Sequence, residues 1–169
     1  MTSPRSLLLV EFGTVEAAGM IEGYLADRFG LATITLRAPT PEVRKKAWQL
    51  NAEDLLSDVL RLRAEHAKDY ALGITEDDLY IPQLNFVFGL ASHEGRSAVV
   101  STRRLRSDDQ SLYRERLIKE SVHELGHAFG AGHCDDPLCV MHFSNSLQET
   151  DIKRKEPCNR CGSALRSAP

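Results

Sequence analysis

Apolar and polar positions along the first third of the chain fall into short segments of two kinds. Residues 6–12 form a nearly continuous apolar run, which predicts a buried strand, and residues 31–36 alternate and include β-branched side chains, which predicts a second strand. Between them, apolar residues recur at near-helical spacing, with Thr14 as a candidate cap and Gly30 as the expected helix end. The chain therefore opens with strand, helix and strand.

The middle of the chain continues this alternation. A helical pattern runs through residues 42–67, and Asn51 with Asp54 resembles a capping start that would break it. Strands are predicted at residues 70–75, 85–91 and 97–102. The turn-rich link Ser-His-Glu-Gly-Arg joins the last two and is typical of a hairpin. A hairpin places an antiparallel strand in an otherwise parallel sheet.

Two further helices are predicted, a long one over residues 108–129 and a short one over residues 146–155. The element order predicts the α/β (α+β) class, a mixed and mostly parallel sheet with helices packed on it. A length of 169 residues suits one domain with a single core. We expect an N-terminal subdomain, 1–130, and a small irregular C-terminal subdomain, 131–169.

The end of the long helix carries the pattern HExxHxxGxxH. His123 and His127 are four residues apart, so they share one helix face and can hold one zinc ion, with Glu124 in reach of a water on it. Gly130 allows a sharp turn, after which His133 supplies a third ligand. Three protein ligands leave the fourth position that a catalytic zinc requires. Three of the six histidines fall in this eleven-residue window, which argues against coincidence.

A methionine and four cysteines follow the histidine motif. Met141 lies eight residues after His133, as expected for the methionine turn of a metzincin peptidase. The cysteines form two close pairs separated by a spacer: Cys134 and Cys139, then Cys158 and Cys161. This spacing favours a four-thiolate structural zinc site. Two disulfides or a redox-active CxxC are the alternatives.

On these ten residues, from His123 to Cys161, the chain resembles the archaemetzincins, a family of metzincin zinc metallopeptidases. The resemblance implies a metzincin-like catalytic domain with two zinc ions per chain, one catalytic on the three histidines and one structural on the four cysteines. It also implies that residues 85–91 form the cleft rim on which an extended substrate pairs. Phe143 stands where some metzincins carry a tyrosine ligand, so we expect no such ligand here.

Charge and hydropathy exclude several other roles. The net charge of −3 gives no case for nucleic acid or a membrane surface as a partner. The apolar run Leu7 to Val10 is shorter than a signal peptide requires, and no stretch approaches the ~20 apolar residues of a membrane span. We therefore expect a cytoplasmic monomer, a setting in which paired cysteines favour metal over disulfides.

The function predicted from the sequence is zinc-dependent peptide hydrolysis. Glu124 would act as general base toward a zinc-activated water that attacks the peptide bond of a peptide or protein substrate. Met141 would serve as packing beneath the zinc site. The alternative is a zinc-stabilised module that binds peptides or proteins without cleaving them.

Overall fold

Nine strands and five helices make up the computed structural model, which describes residues 3–169. In chain order they are β1 (Arg5–Phe12), α1 (Ala18–Phe29), β2 (Leu31–Ala38), β3 (Lys45–Lys46), β4 (Gln49–Asn51), α2 (Ala52–Glu65), β5 (Tyr70–Thr75), β6 (Leu79–Ile81), β7 (Leu84–Val87), β8 (Gly89–Ser92), β9 (Ser97–Ser101), α3 (Gln110–Ala128), α4 (Leu147–Ile152) and α5 (Asn159–Arg166). The main sheet has the strand order β2-β1-β5-β9-β8, and a smaller sheet has the order β3-β4-β6-β7.

The main sheet is mixed and mostly parallel, as the sequence predicts. Strands β1, β2, β5 and β9 pair in parallel, and β8 pairs with β9 antiparallel. Both faces are covered, because successive β1 side chains point to opposite sides: Leu7 packs with α1 and α3, and Leu8 packs with α2. Such burial on both faces explains the continuous apolar run of β1.

The cap of α1 differs from the prediction. Thr14 does not cap the helix; its hydroxyl bonds to Glu76 instead. The buried carboxylate of Glu11 accepts hydrogen bonds from the backbone N–H groups of Ala17 (2.7 Å) and Ala18 (3.1 Å). A carboxylate at this position satisfies donors that the first helical turn leaves free. Gly30 ends the helix with φ +60°, as expected.

The predicted helix over residues 42–67 is wrong in its first part. Residues 45–51 form the hairpin of β3 and β4, and β4 pairs with β6, a strand that the sequence pattern did not reveal. Pairing within the small sheet overrides the local helical spacing. The capping start is confirmed, because the Asn51 side chain accepts a hydrogen bond from Asp54 N (3.0 Å) and α2 begins directly after it.

The predicted strand over residues 85–91 is two strands that belong to different sheets. β7 pairs with β6 and β8 pairs with β9, so the chain crosses from the small sheet to the main sheet at Phe88. The predicted hairpin of β8 and β9 is confirmed. The result is that β7 and β8 run along the side of α3 on which the histidine motif lies.

The C-terminal segment packs against the face of the sheet that carries α1 and α3. Helix α4 lies within the predicted helix over residues 146–155 but ends at Ile152, and the side chain of Ser146 caps it. Helix α5, which the sequence did not indicate, buries Leu165. Val140 and Met141 are fully buried in the same core cluster. Within residues 3–169, no helix combines the length and the apolar character needed to cross a membrane.

Candidate active site and metal centres

Helix α3 delivers the first three residues of the motif to the cleft beside β8. Asp109 caps its N-terminus by accepting from Ser111 N and Leu112 N. At the other end, His123 and Glu124 are buried and His127 is half-buried. The side chains of the motif thus project from a rigid, mostly buried helix rather than from a loop, which favours a fixed geometry.

The hydrogen bonds of the first two histidines fix their tautomers. His123 Nδ1 lies 2.8 Å from the carbonyl of Val140, and His127 Nδ1 lies 2.8 Å from the carbonyl of Ala131. A carbonyl only accepts, so each Nδ1 carries the proton and each Nε2 presents a lone pair. Burial lowers the pKa of His123 well below its usual value, with a further contribution from Lys153, and burial also lowers that of His127. Both rings are therefore neutral, as metal ligands must be.

The two lone pairs face each other at close range. His123 Nε2 and His127 Nε2 lie 3.1 Å apart, and ligand atoms of His123, His127 and His133 all lie within 4.8 Å of one another. Two acceptors at that distance repel each other unless a cation joins them. Nitrogen ligands of a tetrahedral zinc with bonds of ~2.0–2.1 Å are about 3.3 Å apart. The three histidines therefore fit a zinc ion.

Gly130 ends α3 in a Schellman motif that redirects the chain toward His133. Its N–H donates to His127 O (2.9 Å), and Ala131 N donates to Gly126 O (2.9 Å). Its φ of +102° lies in the range that favours glycine. In addition, a Cβ at this position would lie 2.8 Å from the ring of His93, whose Nδ1 bonds to Ala128 O. The contact with His93 had no signal in the sequence.

We expect Gly130→Ala to destabilise the zinc-loaded protein by ~1–3 kcal/mol, because it adds backbone strain and a clash with His93. Gly132→Ala is a matched control in the same loop, since φ there is ordinary and nothing lies within 4 Å of the added Cβ. Denaturant unfolding of both variants measures the difference. Equal free energies of unfolding would contradict the role assigned to Gly130.

Met141 lies directly under the motif. The side chain is fully buried, and a Cβ on Gly126 would collide with its sulfur, so the thioether packs against the backbone of α3 between His123 and His127. The backbone of Met141 also accepts from Cys134 N (3.0 Å). This geometry supports the predicted packing role.

We expect Met141→Leu to cost less than ~1.5 kcal/mol of stability and to leave peptide hydrolysis largely intact, because the two side chains have similar volumes. Met141→Ala should cost more, ~2–5 kcal/mol, because it leaves a cavity under α3. Denaturant unfolding together with metal analysis distinguishes the two. Complete inactivation of Met141→Leu at normal zinc content would show that the sulfur has a chemical role.

Glu124 reaches the cleft next to the histidines and beside β8. Burial and, to a smaller extent, the carboxylate of Glu120 raise its pKa to about 8, and Lys153 opposes them. A divalent cation on the histidines would lower it again. Gly89 leaves room for this side chain, because a Cβ there would lie 2.6 Å from Glu124 Cγ. The carboxyl group of Glu124 is thus held close to the backbone of β8 at Gly89.

The cleft around these residues is open on one side. It has a volume of about 530 Å³ and is lined by all three histidines, Glu124 and β8. Strand β8 is the last strand of the main sheet, so its outer edge has no partner within the described residues. Phe143 is partly exposed, and its ring lies 5.2 Å from that of His133.

The four cysteines form one cluster rather than two separate pairs. Their sulfur atoms lie within 4.8 Å of one another, and none is in a disulfide. Cys139 Sγ accepts hydrogen bonds from Met141 N (3.4 Å) and Cys158 N (3.2 Å). A hydrogen bond from Cys161 N is the main cause that lowers the pKa of Cys158 to about 7. These hydrogen bonds favour thiolates, whereas burial raises the pKa of Cys139 and raises that of Cys161 to about 12. A cation among the four sulfur atoms would offset the cost of burial, and the arrangement fits a tetrahedral structural zinc.

Comparisons with known proteins agree with this geometry. The profile of Peptidase family M54 matches residues 17–167. The chain belongs to that family. An archaemetzincin from Methanopyrus kandleri is 50% identical over 131 residues, which cover 76% of this chain and 74% of the relative.

Solved structures of archaemetzincins show the same fold. The M. kandleri archaemetzincin structure matches with a TM-score of 0.89 and 43% identity, covering 97% of this chain and 94% of that one. The structure of an archaemetzincin from Archaeoglobus fulgidus, complexed with malonate, matches with a TM-score of 0.83 and 33% identity, covering 94% and 99%. The predicted family, fold class and enzyme class are confirmed by these matches.

Gly89 lies in the segment predicted as the cleft rim, but the contacts that Gly89, His93, Glu120 and Ser144 make around the site were not predicted. Glu120 alone carried a signal, because it lies four residues before Glu124 and therefore on the same face of α3. The other three reach the site through tertiary contacts from β8, its hairpin and the segment after Met141.

Proposed function

We propose that this M54 peptidase cleaves peptide bonds with one zinc on His123, His127 and His133 and with Glu124 as the general base. The observation that carries the proposal is the convergence of three neutral imidazole nitrogens beside Glu124 in an open cleft. The name of one similar solved structure, a zinc-dependent peptidase from Methanocorpusculum labreanum with a TM-score of 0.79 and 27% identity, supports the choice of metal.

The chain's own residues perform three tasks in this mechanism. The free edge of β8 binds an extended substrate by main-chain hydrogen bonds. The chemistry that zinc supplies when bound is Lewis-acid polarisation of a carbonyl group and acidification of water. Glu124 accepts a proton from the attacking water and returns it to the nitrogen of the departing amine. Its position beside the three histidines and at the edge of the cleft suits a group that both takes and gives a proton.

We also propose a second, structural zinc on the four cysteines, hence two zinc ions per chain in a single catalytic domain that acts as a cytoplasmic monomer. The clustered sulfur atoms support the second metal. Elemental analysis of metal-replete protein should give two zinc ions per chain.

The experiment that tests the function compares wild type with Glu124→Gln on a diverse peptide pool. Both proteins are loaded with zinc, and new termini are identified by mass spectrometry. Cleavage by wild type alone supports the peptidase. Equal inactivity with retained peptide binding would instead indicate a module that binds peptides without cleaving them.

A further inference from the structure

Strand β7 contains a β-bulge next to the site. The register between β6 and β7 shifts by one residue, so that Asn85 and Phe86 of β7 together stand opposite the single residue Tyr80 of β6. Both bulged residues line a cavity of about 230 Å³ beside Glu124. A bulge interrupts the hydrogen-bond ladder and redirects side chains. Because β7 is also the last strand of the small sheet, its bulge needs support from outside β6 and β7.

A buried carboxylate, that of Asp78, organises the groups that supply this support. Arg104 Nε and Nη2 donate to its two oxygens, each at 2.8 Å, and Gln49 Nε2 donates to Oδ2 at 3.0 Å. Asp78 and Gln49 are both more than nine-tenths buried. Charge-assisted hydrogen bonds of this kind are short and directional, so the three side chains form a unit of fixed geometry.

Each partner of Asp78 also contacts one residue of the bulge. Gln49 Nε2, from β4, donates to Asn85 O at 2.8 Å. The guanidinium of Arg104, which follows β9, lies over the ring of Phe86 with Cζ 3.9 Å from the ring centroid. This distance is well within the range of a cation–π contact. The two residues that the bulge turns toward the cavity are therefore held by the two donors that Asp78 fixes.

The ion pair of Asp78 and Arg104 fixes geometry more than it adds stability. The desolvation of a buried charge offsets much of its attraction to a partner, so such a pair contributes little net free energy of folding. A guanidinium that binds both carboxylate oxygens, however, cannot rotate about the axis of its side chain. The plane of Arg104 is thus set by Asp78, and the position of the Phe86 ring is set by Arg104.

We propose that Arg104, anchored by Asp78, is a positioning residue for peptide hydrolysis that keeps Phe86 in place as a preformed wall for a large apolar side chain of the substrate. A wall that is already ordered binds more tightly, because no conformational entropy is lost when the substrate arrives. The inference rests on the proposed peptidase function and adds a residue that controls affinity without touching the substrate.

The test uses peptides that carry phenylalanine or alanine next to the cleavage site, with each side of that site varied in turn. We expect zinc-loaded wild type to prefer phenylalanine on one side. Arg104→Met should reduce this preference, the ratio of the two kcat/KM values, by about tenfold, the order of one cation–π contact with its anchoring hydrogen bonds. The loss should appear in KM for the phenylalanine peptide rather than in kcat, since Phe86 would contact a side chain and not the reacting atoms.

Arg106→Met is the matched control for this substitution. Its guanidinium lies two residues further along the chain and pairs with the partly exposed carboxylate of Glu76 at 2.9 Å. The same change of side chain there should keep the wild-type ratio.

A second variant separates positioning from stability. Arg104→Met leaves the buried carboxylate of Asp78 without its charged partner and is expected to lower the melting temperature. In the double variant Asp78→Asn/Arg104→Met no charge remains buried, and the new amide can still accept from Gln49. The double variant should therefore melt above Arg104→Met but show the same reduced preference for phenylalanine.

The outcomes distinguish the inference from the function beneath it. The inference is overturned, and the peptidase function stands, if wild type has no preference for phenylalanine, if Arg104→Met lowers kcat/KM equally for both peptides, or if the double variant regains the wild-type ratio. If wild type cleaves neither peptide, the peptidase function fails, and binding of both peptides with and without Arg104→Met decides. A phenylalanine preference in binding that depends on Arg104 supports the inference, and one that does not depend on it overturns it.

Discussion

Glu124→Ala is expected to lower kcat/KM for peptide cleavage by about 10²–10⁴-fold, the usual worth of general acid–base catalysis. The metal content should not change, because no ligand of either candidate zinc site is altered. The fold should also be retained. Glu124 is buried, and removing its unpaired carboxyl group relieves the cost of its desolvation.

The measurement pairs steady-state kinetics with elemental analysis on the same samples. Glu94→Ala is the control, since Glu94 is an exposed carboxylate in the hairpin next to the cleft. Activity near the wild-type level would identify another residue as the base. Loss of zinc from Glu124→Ala would mean that the carboxyl group holds the metal site together.

The second large effect, weaker zinc binding at the histidines, is expected from Cys158→Ser. Cys158 lies 25 residues beyond the last histidine of the motif. Cys134 directly follows His133, and Cys139 directly precedes Val140, whose carbonyl orients His123. The four-cysteine site therefore fixes both the third ligand and the partner of the first. Structural zinc contributes an apparent ~10–16 kcal/mol in small zinc modules, comparable to the ~5–15 kcal/mol stability of a whole domain.

We expect Cys158→Ser to weaken zinc binding at the histidines by about 10–100-fold, the usual effect of losing the groups that orient metal ligands. Hydrolysis should fall with it. The chain should not unfold completely, because Val140, Met141 and Leu165 remain packed in the main core. His123→Ala should leave the four-cysteine zinc in place, so the dependence is one-sided.

Metal titration of both variants provides the test, and Asn159→Ala, the exposed neighbour of Cys158, is the control. A Cys158→Ser protein that binds zinc at the histidines as tightly as wild type would show that the two sites are independent.

The sequence pattern correctly predicted those parts of the fold that depend on residues close to one another in the chain. The apolar run of β1, the helix end at Gly30 and the cap at Asn51 lie where expected, because each depends on neighbouring residues. The hairpin of β3 and β4 was mistaken for helix, since its strand pairing depends on β6, about thirty residues away. Pairings of that range leave no local pattern.

The candidate site likewise contains residues that local spacing predicts and residues that only tertiary packing brings in. The candidate ligand sets could be predicted from spacing, because a helix and a tight turn bring the histidines together. The two cysteine pairs were expected to meet by analogy with zinc sites, and the structure places them in one cluster. By contrast, Gly89, His93 and Ser144 approach the site from separate segments. Their contribution depends on how β8 and the segment after Met141 pack on α3, which only the folded chain reveals.

The most direct test of the metallopeptidase mechanism is digestion of a diverse peptide pool by one preparation of the wild-type chain in three states: zinc-loaded, depleted with a chelator, and reloaded with zinc. New peptide termini counted by mass spectrometry should be present in the first state, absent in the second and restored in the third. Cleavage that persists after both metals are removed, or no cleavage by protein that carries zinc on the histidines, would contradict it.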